Sequence, residues 1–185
     1  MPIVILDTNV FLQYRDLREL PWTELVGKGR VNLLIPLTVQ RELERHKADG
    51  NSRRSTRARK TIPLFRQLVH SREESVLLDG TSDVRVKLMR LRRLDAEKYP
   101  ELDLNAPDQR IIAEILRAIE DGLEEVPILA TADTFLCGVA KQFDVRFVEL
   151  PDEWRLPEEP DSRGKELKEL RSRVERLEGN RPLFR

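Results

Sequence analysis

The sequence contains little of the chemistry that depends on sulfur or imidazole. Among 185 residues there is one cysteine, Cys137, and the two histidines are His46 and His70. A single cysteine excludes a disulfide within the chain, which fits a reducing compartment. Because neither histidine lies near Cys137 in sequence, a cysteine nucleophile activated by a neighbouring imidazole is not expected. We expect Cys137 to behave as a small hydrophobic residue on an apolar helix face.

Long apolar runs and an excess of charge of one sign are also missing. No segment approaches the roughly 20 apolar residues that span a membrane, so no membrane association is expected. Residues 1–6 lack the basic region of a signal peptide, and we expect a soluble cytoplasmic protein. The 33 basic and 33 acidic residues cancel. Any contact with nucleic acid therefore has to come from a local patch.

What the sequence does contain is an alternation of short apolar runs with helical patterns. Strands are predicted at residues 3–6, 31–37, 75–78, 126–130 and 145–150, with a further short strand or edge segment at 84–88. Short continuous apolar runs are typical of strands buried on both faces of a parallel sheet. Strands alternating with helices over residues 1–150 predict an α/β fold, a three-layer α/β/α sandwich around a mostly parallel sheet.

Composition divides the chain into three parts. Residues 1–150 are the predicted α/β domain, and residues 151–162, with prolines among acidic residues, are a predicted linker. Residues 163–185 predict a charged C-terminal helical tail with an apolar seam at Leu167, Leu170, Val174 and Leu177. Such a seam, about two heptads long, either packs lightly as one face of a solvated helix or forms a homodimer contact.

Four acidic residues occupy positions at which parallel α/β sheets bind ligands. Asp7 directly follows the first apolar run, and Asp133 follows the run at 126–130. Asp108 lies in the first turn of one predicted helix, and Glu42 lies in the second turn of another. Ligands of such sheets bind beyond the carboxyl ends of the strands. We therefore expect these carboxylates to meet at one edge of the sheet.

Each acid also has a local structural explanation. Asp7 and Asp133 suit N-caps of the helices that follow them. Asp108 in a first helical turn is favoured by the helix dipole whatever its function. Glu44 competes with Glu42, because the two side chains lie about 200° apart around a helix and only one of them can face the site.

Taken together, the four acids predict a divalent-metal site, because a cation removes the repulsion between clustered carboxylates. Oxygen ligands without histidine or cysteine favour Mg²⁺ or Mn²⁺ over Zn²⁺. One or two such ions polarise a phosphoryl group and lower the pKa of a bound water. The acids alone therefore predict metal-assisted chemistry at a phosphoryl group and leave the reaction class broader than that.

The segments around these acids resemble the PIN domain (PilT N-terminus type), a nuclease fold related to flap endonucleases. They are VILDTN at 4–9, LTVQRELERHK at 37–47, APDQRIIAEIL at 106–116 and ILATADTFLCGVAKQF at 128–143. The resemblance implies that four acids bind metal and act in catalysis, namely Asp7, Glu42, Asp108 and Asp133. It also implies supporting roles for Asn9 and Thr131, which would position the acids.

By that resemblance, the expected activity is a Mg²⁺- or Mn²⁺-dependent endoribonuclease. Metal-activated water would attack phosphorus and leave a 5′-phosphate and a 3′-hydroxyl. RNA is favoured over DNA, and single-stranded DNA is the alternative substrate. The alternative function is a PIN-fold RNA- or protein-binding module with weak catalysis. A simple toxin assignment is disfavoured, because the chain between Lys47 and Asp108 is longer than in compact toxin nucleases.

A basic segment at residues 41–60 follows the second predicted strand. Residues 49–60 predict a loop or a frayed helix start, and Pro63 is expected near the beginning of the next helix. This segment either holds the phosphates of a substrate strand beside the carboxylates or is an ordinary solvated loop. The residues expected to contact nucleic acid are Arg41, Arg45, Lys47, Arg53, Arg54 and Arg57.

Overall fold

The computed structural model describes residues 1–27, 29–50, 53–71, 75–78, 83–157 and 170–173. The strands in this part of the chain are β1 (Ile3–Leu6), β2 (Val31–Ile35), β3 (Val76–Leu77), β4 (Val84–Leu88), β5 (Ile128–Thr131) and β6 (Phe147–Glu149). They form one sheet in the order β3-β4-β2-β1-β5-β6. All neighbouring pairs are parallel except β3 with β4. The predicted mostly parallel sheet is confirmed.

Helices flank this sheet on the connections between its strands. They are α1 (Thr8–Gln13), α2 (Trp22–Val26), α3 (Leu37–Ala48), α4 (Arg53–His70), α5 (Pro107–Glu120) and α6 (Thr134–Gln142). Short 3₁₀ helices lie at Leu17–Glu19 and Asp152–Trp154. The α/β/α class predicted from the sequence is confirmed.

The central strand β1 sets the position of the site. All four of its residues are buried, as expected for a strand covered by helices on both faces. It pairs with β2 on one side and with β5 on the other. The chain leaves β1 towards β2, whereas β5 is added later on the opposite side. Such a topological switch point opens a crevice at the carboxyl ends of the two strands, where Asp7 lies.

The second strand ends earlier than predicted. It stops at Ile35, and α3 begins at Leu37 with Pro36 as its N-cap. Proline has no N–H to continue a sheet ladder, so it ends the strand here. Thr38 is a buried residue of the first turn of α3.

The prediction of a loop or frayed helix start over residues 49–60 is wrong for residues 53–60, whereas residues 49–50 lie outside any helix and residues 51–52 lie outside the described residues. Helix α4 begins at Arg53 and continues through Pro63, which lies inside the helix and not near its beginning. Proline in a helix removes one hydrogen bond, but the buried residues Ser55 and Ala58 anchor the preceding turns in the core. Arginine, lysine and alanine are also good helix formers, so packing and propensity together override the polar composition.

The remaining strand predictions are confirmed with small shifts in their ends. The alternating segment 84–88 is an interior strand, β4, between β2 and β3. The edge position belongs to the two-residue β3, which pairs antiparallel with β4. Short strands at a sheet edge limit the exposure of unpaired backbone groups.

The compact domain extends beyond the predicted boundary at residue 150. The chain folds as two units, Met1–Arg155 and Leu156–Arg185. Trp154 is buried and packs edge-on against Trp22, with ring centroids 6.1 Å apart. The backbone of Arg155 forms an isolated antiparallel β-bridge with Tyr14. Residues 151–155 therefore belong to the first unit, and the predicted linker begins too early.

Little of the second unit falls within the described residues. Residues 170–173 are helical, and Leu170 is exposed. The rest of the predicted helical tail, and most of its apolar seam, lie outside the described residues. In the part of the chain that is described, no helix is both long and apolar enough to cross a membrane.

Candidate metal centre

Asp7 stands where β1 gives way to α1. Its backbone N–H continues the sheet by donating to the carbonyl of Ala130, 3.2 Å away. The side chain is 2% exposed. Oδ1 accepts a hydrogen bond from the N–H of Thr8 at 2.6 Å, and Oδ2 accepts one from Oγ1 of Thr131 at 2.9 Å. Asp7 is therefore both an N-cap and a fixed carboxylate at the strand-end crevice.

A single buried hydroxyl links the two acid-bearing turns. Thr131, the last residue of β5, is fully buried. Its Oγ1 donates to Asp7 and accepts the backbone N–H of Asp133 at 3.0 Å. Oδ1 of Asp133 caps α6 by accepting from the N–H groups of Phe135 and Leu136 at 2.8 and 3.2 Å. The two strand-end aspartates are thus held in one hydrogen-bonded unit.

Glu42 on α3 joins this unit through α1. The hydroxyl of Thr8, the residue after Asp7, donates to Oε2 of Glu42 in a short hydrogen bond. Glu44 is instead exposed and forms an ion pair with Lys47. The structure therefore brings Glu42, and not Glu44, to the acidic cluster.

The electrostatic environment of Asp7 is unfavourable to its charge. Its pKa is raised from 3.8 to about 6, and burial is the largest cause. Hydrogen bonds from Thr131 and Thr8 act in the opposite direction. The negative charges of Asp108 and Glu42 raise the pKa further, since like charges disfavour a second ionised carboxylate.

Asp108 interacts with each of the other three acids. It lies in the first turn of α5 and is partly exposed. Burial, then the charges of Asp133 and Glu42, raise its pKa, and its own charge contributes to the raised pKa of Asp7. The sequence placed Asp7 and Asp133 at the centre of the site, and these charge interactions show that Asp108 is electrostatically coupled to both.

The carboxylates suit a cation that keeps much of its water. Among the described residues, no three Asp, Glu, His or Cys side chains converge into a ready group for an ion. Mg²⁺ commonly binds through one or two carboxylates and completes its octahedral shell with water and phosphate oxygens. A buried, oriented Asp7 beside the partly exposed Asp108 and Asp133 fits this kind of binding, and the donors are all oxygen.

A buried carboxylate that the sequence reasoning missed joins the acid-bearing helices α3 and α5. Glu114 on α5 is 9% exposed and accepts from Oγ1 and N–H of Thr38 on α3, at 2.7 and 3.4 Å. Thr38 and Glu42 are four residues apart and share one face of α3, while Asp108 and Glu114 are both on α5. The signal available in the sequence was a glutamate within the otherwise apolar stretch IIAEIL.

Asn9 contacts its own helix in the structure. It lies in α1, and its amide oxygen accepts from Nε2 of Gln13 at 2.9 Å. This contact stabilises α1, whose first residue is Thr8. A direct role of Asn9 in positioning Asp7 stays a prediction.

The basic residues predicted to contact nucleic acid separate into two groups. Arg57 donates through Nε and Nη2 to the carbonyls of Phe11 and Tyr14, at 3.2 and 2.6 Å, so it closes the end of α1. Lys47 is paired with Glu44. The other four lie on α3 or in the first turn of α4, where all but the partly buried Arg53 are exposed: Arg41, Arg45, Arg53 and Arg54.

Cys137 lies near the acids but has the environment of a core residue. It is buried in α6, as expected for a small hydrophobic residue. Burial raises the pKa of its thiol, and the nearby charges of Glu149 and Asp133 raise it further. A thiol that resists ionisation is a poor nucleophile.

The fold and the acids together define a class of proteins: α/β domains that carry carboxylates at the switch point of a parallel sheet. The family profile described as "PIN domain" matches residues 4–150. The chain belongs to the PIN domain family, whose members are generally nucleases.

Two further comparisons were made, with solved structures and with curated proteins. One similar solved structure is a domain of a functionally unknown protein from Methanocaldococcus jannaschii DSM 2661. It is 18% identical, has a TM-score of 0.47, and the match covers 87% of this chain and 97% of that one. No curated protein matches the chain significantly.

Proposed function

We propose that this PIN domain is a divalent-metal-dependent endoribonuclease that uses Mg²⁺ or Mn²⁺. The observation that carries the proposal is the hydrogen-bonded unit that links the strand-end aspartates Asp7 and Asp133 and reaches Glu42 through Thr8. Asp108 is coupled to this unit, because its charge raises the pKa of Asp7. Carboxylates that raise one another's pKa are suited to share a cation. Family membership supplies the reaction class, because PIN domains are usually metal-dependent nucleases.

The roles of the acids in metal binding would follow from how deeply each is buried. Asp7 is held rigid by Thr131 and Thr8, so it would provide an oriented ligand. Asp108 and Asp133 are partly exposed, so they would bind the ion where substrate phosphate reaches it. Glu42 would complete the site from α3. A bound divalent cation would polarise the phosphoryl group and lower the pKa of the attacking water, leaving a 5′-phosphate and a 3′-hydroxyl.

A cleavage assay with paired variants tests this proposal. Single-stranded and hairpin RNA are incubated with the full chain and Mn²⁺ or Mg²⁺, and EDTA serves as the chelator control. We expect Asp108→Asn and Glu42→Gln each to lower the cleavage rate at least about 100-fold, the usual effect of removing one preorganised electrostatic group. Glu24→Gln, at an exposed carboxylate on α2, which precedes β2 whereas α3 follows it, is the matched control and should cleave normally.

Two results would contradict the proposal. Cleavage that survives Asp108→Asn would show that the activity does not come from these acids. Cleavage that persists in excess EDTA would remove the role of the cation. The same assay with single-stranded DNA determines whether the substrate class is limited to RNA.

A second candidate function is an RNA-binding module with little catalysis. It is favoured by the exposed Arg41 and Arg45 on α3, which suit contact with an RNA backbone whether or not the acids bind a cation. A module of this kind would retain RNA but cleave no RNA with either metal ion. Retention is measured by a filter-binding assay in parallel with the cleavage reaction, so the two functions give different results in one experiment.

A further inference from the structure

Two adjoining surface depressions connect α3 with the segment that follows β4. One of them is lined by Leu37, Gln40, Arg41, Glu44 and Arg45. The other is lined by Leu37, Met89, Arg90, Leu91, Arg92, Arg110 and Glu114. Leu37 lines both depressions, so they adjoin each other at this residue. We call the combined region the α3–β4 surface, defined by these two sets of residues.

The acidic residues of the α3–β4 surface already have partners. Glu44 forms an ion pair with Lys47. Glu114 accepts two hydrogen bonds from Thr38 and lies 3.7 Å from Nε of Arg110. Arg92 is likewise paired, with Asp121 at 2.7 Å. The positive charge that the surface offers a ligand therefore comes mainly from the exposed Arg41 and Arg45.

The arginines of α3 are arranged for contact with an extended anion. Arg41 and Arg45 are both exposed and lie four residues apart, which places them side by side on one face of the helix. Arg90 is exposed on the other side of Leu37. Arginine forks bind phosphate oxygens in a planar, often bidentate geometry, so this arrangement suits a phosphate backbone.

The α3–β4 surface includes residues of α3 and α5, the two helices that carry Glu42 and Asp108. On α3, Arg41 precedes Glu42 in sequence but points to a different face, about 100° away around the helix. On α5, Arg110 lies two residues after Asp108. A strand bound along this surface would therefore lie on the same two helices that carry Glu42 and Asp108.

We propose that the α3–β4 surface binds the backbone phosphates of the RNA strand that is delivered to the acids. This inference rests on the proposed ribonuclease function. It replaces the broader basic segment expected from the sequence, because Arg57 and Arg59 of α4 donate to backbone carbonyls of the protein itself. The residues lining the surface include no aromatic ring for base stacking. Binding is therefore expected to tolerate different RNA sequences.

Binding can be measured separately from cleavage. A fluorescently labelled single-stranded RNA is titrated with the full chain in EDTA, and fluorescence anisotropy gives the affinity at several salt concentrations. The test variant is Arg41→Glu/Arg45→Glu. The matched control is Arg30→Glu/Arg146→Glu, which makes the same charge change at exposed arginines directly before β2 and β6, at the opposite ends of these strands from the acids.

The test variant should bind RNA at least about 10-fold more weakly at low salt. It should also reduce the slope of log affinity against log salt concentration by about 1.4, because each phosphate contact on a single strand contributes about 0.7. The control should stay within about 2-fold of the wild type. Adding Arg90→Glu to the test variant should weaken RNA binding further. Circular dichroism of each variant should show the same fold as the wild type.

Three results would overturn the inference: RNA binding by the test variant equal to wild type, equal losses in test and control variants, or no RNA binding by the wild type. Its failure is distinguishable from failure of the proposed function. Wild-type binding that depends on Arg41 and Arg45 without any cleavage in Mn²⁺ would refute the nuclease and keep the surface. If the wild type cleaves RNA but the test variant binds RNA as tightly as the wild type, the nuclease function is kept and the binding surface is refuted.

Discussion

Because Asp7 is buried, the metal-free protein should have a higher free energy of unfolding at mildly acidic pH than at neutral pH. The folded-state pKa of Asp7 is about 6, against 3.8 for an unperturbed aspartate carboxyl. The folded state therefore binds the proton more tightly than the unfolded state does. The resulting stability is fully present below the unfolded-state pKa and is lost as the pH rises through about 6.

The size of this effect follows from the shift. A difference of about two pH units between folded and unfolded states corresponds to about 3 kcal/mol of unfolding free energy over the whole titration. About 1 kcal/mol of this amount falls between pH 7.5 and pH 5. The figure applies to the carboxylate without a cation, so the protein is studied in EDTA.

Asp7→Asn removes the titrating carboxyl group and can keep the hydrogen bonds with Thr8 and Thr131. The amide oxygen can accept from Thr8, and the amide N–H₂ can donate to the hydroxyl of Thr131. Urea unfolding at pH 5 and pH 7.5 gives the free energy of unfolding of both proteins by linear extrapolation. Wild type should gain about 1 kcal/mol relative to Asp7→Asn on going from pH 7.5 to pH 5.

The control for this prediction is Glu101→Gln, a change at an exposed carboxylate. It should give a difference from wild type that does not vary with pH. A constant difference between wild type and Asp7→Asn, or a relative loss of wild-type stability at pH 5, would refute the reasoning from burial. Mn²⁺ at pH 7.5 should stabilise wild type more than Asp7→Asn, since binding to the folded state stabilises it.

Three further predictions concern single contacts. Thr131→Val should lower the unfolding free energy by about 1–3 kcal/mol, because it leaves Asp7 with one donor fewer; Thr131→Ser, which keeps the hydroxyl, should restore most of the loss in the same urea titration. Glu114→Gln should lower stability by a similar amount and lower the cleavage rate, because the bond to Thr38 joins the acid-bearing helices; unchanged cleavage would show that this contact does not position the site. Trp154→Ala should lower stability by about 3–5 kcal/mol as judged by thermal unfolding, whereas a solvated linker residue would leave the transition unchanged.

Much of the fold could be predicted from short-range patterns. The fully apolar run at residues 3–6 identifies β1 because a strand covered on both faces needs no polar alternation. Parallel strands end at a common edge, so the position of Asp7 and Asp133 directly after their strands was enough to place both at one crevice. The Pro107–Asp108 start of α5 was also visible, because proline is favoured in the first helical turn.

Other features depend on partners that are distant in sequence. Thr131 and Asp7 are 124 residues apart, and Thr38 and Glu114 are 76 residues apart. No local pattern specifies which buried donor meets which acceptor, because that choice is made when helices and strands pack. The same reason explains the helical α4, whose polar surface is anchored by buried residues on its other side.

The four acids illustrate the division between sequence and structure. Their identity and the edge on which they lie were determined by the sequence, because strand ends and helix starts are local features and the family segments contain them. Tertiary structure decided their relations: it selected Glu42 over Glu44, and it placed Asp108 among the other three charges. Charge coupling and burial are properties of distances in space, and they exist only once the chain has folded.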